Sequence, residues 1–225
     1  MYFYPADIYY LILVVPALVV SFAAQMYVNS AFKKYNKMYV HENAKNLTRR
    51  ILDENGLSNI SIEKVRGELT DHYDPKNNVI RLSDSVYENS TVAAVGVAAH
   101  EAGHAVQRKE GYLPIKIRNS IVPVVQFASY AAIPLAMLGL VFGNILLNVG
   151  VILFAVTVLF QIVTLPVEFD ASKKAILTLS QTLTEEELKG VKKVLTAAAL
   201  TYVASALVAV MNLLRLVLLA RNRRD

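Results

Sequence analysis

The sequence predicts a mainly α protein, a polytopic bundle of membrane helices carrying one small α+β extramembrane domain. Three observations lead there. The chain is 55% hydrophobic with a mean hydropathy of +0.39, too apolar for an ordinary soluble domain of 225 residues. Four apolar runs, 8–28, 121–142, 145–166 and 196–220, are each long enough to cross a hydrocarbon core of roughly 30 Å as a helix. Only one segment between them, 30–119, is polar enough and long enough to fold on its own.

The first run, within an N-terminal segment 1–29, is expected to be a retained anchor and not a cleaved signal. It has Asp7 and no Lys or Arg before its apolar stretch, and it lacks a small-residue cleavage site. In segment 30–119, Val40, Ala44, Leu47 and Ile51 recur at helical spacing among charged residues, with Gly56 as the stop. Ile60 and Ile62 alternate with polar residues, and Val79, Ile80 and Leu82 follow the turn-prone run Asp74-Pro75-Lys76-Asn77-Asn78, which predicts two short strands or a hairpin. A helix over 91–108 follows, capped by Ser90 or Thr91, with Val92, Val95, Ala99, Ala102 and Val106 at core spacing. Its apolar part is too short to span a bilayer and ends in Arg108-Lys109-Glu110, which places it beside the membrane.

The second and third runs, segment 120–166, are separated only by Gly143-Asn144 and must form a tight hairpin. Pro16 and Pro134 would kink or interrupt their helices. Past Pro166 a new helix is expected over 167–195, since proline is favoured at a helix start. The fourth run, in segment 196–225, carries Thr201, Ser205 and Asn212 on one stripe, a face suited to packing against other helices. The basic residues start at Lys33 and crowd beside the runs: Lys33, Lys34 and Lys37, then Arg108, Lys109, Lys116 and Arg118, then Lys173, Lys174, Lys189, Lys192 and Lys193. That side is expected to be cytoplasmic. The same parity puts Arg221, Arg223 and Arg224 outside, against the rule, so the fourth run either crosses despite them or lies partly against the bundle. The net charge of +5 suits anionic lipid headgroups better than nucleic acid, which is not an expected partner.

The chemistry sits on the 91–108 helix. His100-Glu101-Ala102-Gly103-His104 is an HExxH motif in a chain with four histidines. Positions i and i+4 share a helix face, so both imidazoles can reach one metal ion while the glutamate flanks its open side. The chain has no cysteine, so a metal site must be built from His, Asp and Glu. A catalytic zinc site wants three protein ligands and one exchangeable water. The hairpin returns the chain at Pro166-Val167-Glu168-Phe169-Asp170-Ala171-Ser172, and Glu168 is taken as the third ligand, with Asp170 the competitor. Position alone leaves Glu168 equally readable as a solvated carboxylate at a helix N-terminus.

With HExxH on an extramembrane helix, then a membrane hairpin, then Glu-Phe-x-Ala, the chain resembles the gluzincin membrane peptidases, which include HtpX-type proteases and CAAX prenyl proteases. More closely, Leu69-Thr70-Asp71-His72-Tyr73-Asp74-Pro75, Ala98 through Gln107, and Pro166 through Ser172 resemble the YugP-type neutral zinc metallopeptidases of bacteria. The resemblance covers most of the chain. It implies a zincin-like domain, one zinc ion held by His100, His104 and Glu168, and Glu101 as the catalytic base. It departs at Ser172, where HtpX-type proteins usually carry Asp four residues after the glutamate ligand, so Asp170 or another group is expected to orient a ligand histidine.

The resulting expectation is a zinc endopeptidase in the bacterial plasma membrane, its site facing the cytoplasm, cutting membrane-associated or partly unfolded polypeptides. Zinc would lower the pKa of a bound water from about 15.7 toward about 7, and Glu101 would take its proton and pass it to the leaving amine. His72, Tyr73 and Arg81 are candidate oxyanion donors, and the 78–83 strand is a candidate edge for pairing with substrate backbone. A non-catalytic zinc-binding scaffold is the alternative, disfavoured because a structural site normally has four protein ligands. A channel is disfavoured because the runs carry almost no ionisable residue apart from Arg215. AAA-type membrane proteases need a P-loop that is absent, and site-2 proteases place HExxH inside a span.

Overall fold

The computed structural model describes residues 8–222; Asp7, Arg223 and Arg224 lie outside them. In chain order the elements are α1 (Tyr10–Tyr35), α2 (Ala44–Glu54), β1 (Ser61–Val65), β2 (His72–Asp74), β3 (Val79–Ser83), α3 (Val92–Glu110), α4 (Leu113–Phe142), α5 (Asn144–Leu179) and α6 (Glu185–Asn222). The chain is mainly helical, and α1, α4, α5 and α6 are each long and apolar enough to cross a membrane. α1 opens with a π-helical turn, Tyr10–Val14, that ends with the Val15 N–H on the Tyr10 carbonyl. Pro16 follows at once and has no N–H to offer the ladder, so the disturbance expected there takes the form of that turn. Pro123 and Pro134 lie inside an unbroken α4.

The chain divides into two compact units. The first comprises the described residues up to Gln25, then Lys116–Leu165, and those from Thr201 onward. Here α4 and α5 form the expected hairpin around Gly143, whose φ of +139° only glycine adopts without strain. The two helices touch backbone to backbone. A Cβ on Gly139 would lie 2.1 Å from the Leu147 nitrogen, and one on Gly150 would lie 2.5 Å from the Ala136 nitrogen. Ala128, Ala132 and Ala136 are buried, while Phe127, Tyr130, Phe142, Ile145 and Ile152 are exposed. Small residues inside and large apolar residues outside is the pattern of helices packed for lipid.

The second unit comprises Met26–Ile115 and Pro166–Leu200. Its core is that of a water-soluble domain: Leu52, Ile80, Leu82, Val86, Val92, Leu179 and Val191 are fully buried together. α2 starts at Asn43, whose side-chain oxygen accepts the Asn46 N–H at 2.8 Å. Val40 therefore precedes the helix and is not its first apolar position; it is buried beside an isolated bridge between Tyr39 and Thr91. The helix closes at Asn55, with Gly56 at φ +62° one residue beyond.

The sheet has the order β1-β3-β2. β1 and β3, the two strands legible in the sequence, run parallel with Ser61 opposite Val79, so they do not form a hairpin. The hairpin partner of β3 is β2, antiparallel to it with Tyr73 opposite Ile80. The turn was correctly placed: Asp74 accepts the Lys76 and Asn77 N–H groups, and Asn78 takes a positive φ. Its first arm, His-Tyr-Asp, has too little apolar alternation to read as a strand. β3 is thus the central strand, and its backbone is not the free edge; β2 is an edge strand.

α3 is capped by Thr91, whose hydroxyl oxygen accepts the Ala94 N–H at 3.3 Å, and it ends at Gly111 in the left-handed region. The helix is buried along nearly its whole length. The break expected after Pro166 does not occur, because α5 runs unbroken through it from Asn144 to Leu179. α6 likewise runs unbroken from Glu185 to Asn222.

Candidate metal centre

Two helices of the second unit build the site. α3 supplies His100, Glu101 and His104, and the C-terminal part of α5 supplies Glu168 and Ser172. Their crossing is unusually close because Gly103 faces α5: a Cβ there would lie 2.7 Å from the Ala171 carbonyl oxygen. Continuity of α5 past Pro166 matters equally, since it puts Glu168 and Ser172 on one face at i and i+4.

His100, His104 and Glu168 each offer a ligand atom, and these atoms all lie within 4.8 Å of one another. Glu168 Oε2 is 3.1 Å from His100 Nε2 and 3.6 Å from His104 Nε2. Ligand bonds of about 2.0–2.1 Å in tetrahedral array put neighbouring ligand atoms roughly 3.3 Å apart, so these spacings suit zinc. The imidazoles meet edge to face, with centroids 4.7 Å apart. Glu168 and His104 are buried. Burial works against the imidazolium of His104, but the carboxylates of Glu168 and Glu101 outweigh it and raise its pKa above the ordinary value. A site that favours a proton in this way is one that favours a cation.

The other nitrogen of each imidazole is also engaged. His100 Nδ1 lies 3.1 Å from Ser172 Oγ, so the serine stands against the outer nitrogen of this imidazole. His104 Nδ1 lies 3.0 Å from Gln107 Oε1, and Gln107 is fully buried. Asp170 is not in the converging group. Its carboxylate accepts Gln107 Nε2–H at 2.9 Å and pairs with Lys174 at 3.7 Å.

Glu101 stands beside these three candidate ligands without joining their group. Its Oε2 accepts the Tyr73 N–H of β2 at 2.9 Å. Asp71 is close by; its carboxylate takes the Ser83 N–H at 2.7 Å and the Ser83 hydroxyl at 2.9 Å. Burial raises the Asp71 pKa, the two Ser83 bonds oppose that, and the Glu101 charge adds to it. Arg108 of α3 donates to the Pro75 carbonyl, which ties the β2–β3 turn to the motif helix.

The candidate oxyanion donors are placed as follows. Arg81 is held by Asp74 at 2.9 Å and Glu63 at 3.3 Å, a partner for carboxylates and not a free donor. The exposed His72 ring turns back on the Thr70 carbonyl at 2.8 Å. Tyr73 meets the site through its main-chain N–H, while its hydroxyl lies 3.5 Å from Arg108. Sequence reasoning missed Gln107, Gly103 and this Tyr73 N–H. Gln107 had a readable signal, being a polar residue three positions after His104 on a helix otherwise lined with Ala and Val.

Comparison with known proteins agrees with the geometry. Residues 10–221 match the family model described as "Putative neutral zinc metallopeptidase". The chain is 47% identical over 221 residues to the "Putative membrane protease YugP" of Bacillus subtilis (strain 168), covering 96% of this chain and 98% of that protein. No solved structure matches it. With the model spanning nearly the whole chain and a relative at that identity, the protein belongs to the neutral zinc metallopeptidase family of membrane proteins typified by YugP.

Proposed function

We propose that the protein is an integral membrane zinc endopeptidase of the bacterial plasma membrane, with its site on the cytoplasmic side, hydrolysing peptide bonds in membrane-associated or partly unfolded polypeptides. The observation that carries this reading is the convergence of His100, His104 and Glu168 with a separate carboxylate, Glu101, held alongside by the Tyr73 N–H. Three protein ligands leave a tetrahedral ion one position for water or substrate, which suits catalysis better than a structural role. The cytoplasmic placement rests on the lysines and arginines that flank the apolar runs.

Zinc bound by these three side chains supplies Lewis acidity and an acidified water. The chain's own residues do the rest. Glu101 accepts the water proton on its carboxylate and returns it to the leaving amine; the Tyr73 N–H fixes the direction in which that carboxylate points. β2 is the outer strand of the sheet and takes the role the sequence had suggested for β3, whose two edges are both occupied; its Tyr73 N–H is already given to Glu101, so an extended peptide would pair with the main-chain groups beside it. A substrate paired there lies next to Glu101, because the strand that would hold it also holds the base.

Glu101→Gln removes the base and leaves the three ligands in place. Hydrolysis of a generic unfolded polypeptide such as casein by the detergent-solubilised full chain should fall about 10²–10⁴-fold with zinc content unchanged. Unaltered turnover by this variant would overturn the mechanism.

A further inference from the structure

Outside the candidate ligand set, Gln107 is the largest fully buried polar side chain among the described residues. Its amide makes three hydrogen bonds. Nε2 donates to the Val167 carbonyl at 2.8 Å and to the Asp170 carboxylate at 2.9 Å, and Oε1 faces His104 Nδ1 at 3.0 Å. Two acceptors around one end of the amide fix its orientation, because only the NH2 end can satisfy both a carbonyl and a carboxylate. The oxygen must then face His104, so His104 must carry its proton on Nδ1. In the neutral imidazole that would ligate a metal, this leaves the Nε2 lone pair free for the metal position. Asp170 in turn is held by Lys174, whose ammonium also pairs with Glu110 at 2.6 Å, one turn beyond Gln107 on α3.

Resting on the zinc reading above, we propose that Gln107 is a positioning residue for the metal: it sets the tautomer of His104 and ties the α5 backbone immediately before Glu168 to the motif helix. One carboxamide thereby orients a ligand on each helix. His100 has a weaker guide, since the Ser172 hydroxyl can donate or accept and does not by itself select a tautomer. The asymmetry makes His104 the pre-set ligand and Gln107 the residue on which its alignment depends. Outer partners of ligand histidines commonly matter 10–100-fold in metal affinity.

The test uses the detergent-solubilised full chain, with zinc affinity read by competition against a chromophoric chelator and ligand geometry by the visible absorption of the cobalt-substituted protein. Gln107→Met keeps side-chain volume and loses all three bonds. Its zinc Kd should rise about 10–100-fold and its cobalt spectrum should change, while unfolding of the metal-free protein shows that it still folds. Gln107→Glu can accept from His104 but sets a carboxylate against Asp170 and cannot donate to Val167. It should bind zinc poorly, and adding Asp170→Asn, which restores a donor opposite residue 107, should recover much of the affinity. A purely structural role would not produce that rescue. Wild-type zinc affinity in folded Gln107→Met, or no recovery in the double variant, would overturn the relay while leaving the zinc reading intact. Failure of the wild-type chain to bind zinc would instead remove the reading on which it rests.

Discussion

The two units of this molecule obey opposite packing rules. In the first, glycine and alanine lie inside and Phe127, Phe142, Ile145 and Ile152 lie outside. In the second, leucine, isoleucine and valine join alanine in the interior and charged side chains cover α2 and the sheet. Each pattern answers to its own solvent. Lipid gives no hydrophobic reward for hiding large side chains, so helices gain by close backbone approach. Water gives that reward, and the second unit collects it. All of the candidate chemistry lies in the second unit, but the site borrows one device from the first: Gly103 brings α3 against the backbone of α5, as Gly139 and Gly150, more tightly still, bring α4 and α5 together.

The contrast can be broken by a matched pair of substitutions. Leu82→Ala empties a fully buried position of the second unit and should cost about 2–5 kcal/mol of its stability. Ile152→Asp alters a side chain that is 65% exposed; on a water-facing surface it would be almost silent, but at the middle of a span it should cost about 3 kcal/mol of membrane insertion. Denaturant unfolding reads the first and the fraction of chain inserted in membranes reads the second. A silent Ile152→Asp would mean that this surface meets water.

A smaller effect should separate the metal-free and zinc-loaded forms. The folded protein holds the His104 pKa above its ordinary value of about 6.5. A raised pKa stabilises the folded state below the unfolded value and ceases to do so as pH rises through the folded value. The metal-free chain should therefore lose thermal stability as the pH rises from about 6.5 through the raised folded value. Zinc should remove that loss by taking the proton's place, and zinc affinity should weaken as the pH is lowered through the same range. A metal-free Tm that rises over this interval would show that Glu168 and Glu101 do not hold a second proton on His104.

Much of this was legible in the chain. HExxH, the four apolar runs, the Gly143 turn and the Thr91 cap depend on short-range patterns, and each appears at or near its expected residues. Other features were hidden because they depend on distant partners. The parallel pairing of β1 with β3 needs a crossover that no local spacing encodes. Pro166 reads as a helix start by propensity, yet α5 absorbs its missing N–H and continues, as apolar helices do when neighbours support them. Ser172 looked like a deficiency and lies against His100, while the carboxylate expected to assist, Asp170, reaches the other histidine through Gln107. Spacing named the residue types; only the crossing of α3 and α5 decides which atoms meet.

On the proposed function, Glu168, and not Asp170, completes a zinc site begun by His100 and His104. Elemental analysis of the purified full chain tests it most directly. One zinc per chain should be found in the wild type and in Glu101→Gln, still bound though less tightly in Asp170→Ala, and lost in Glu168→Ala. Zinc retained by Glu168→Ala and lost from Asp170→Ala would contradict the account.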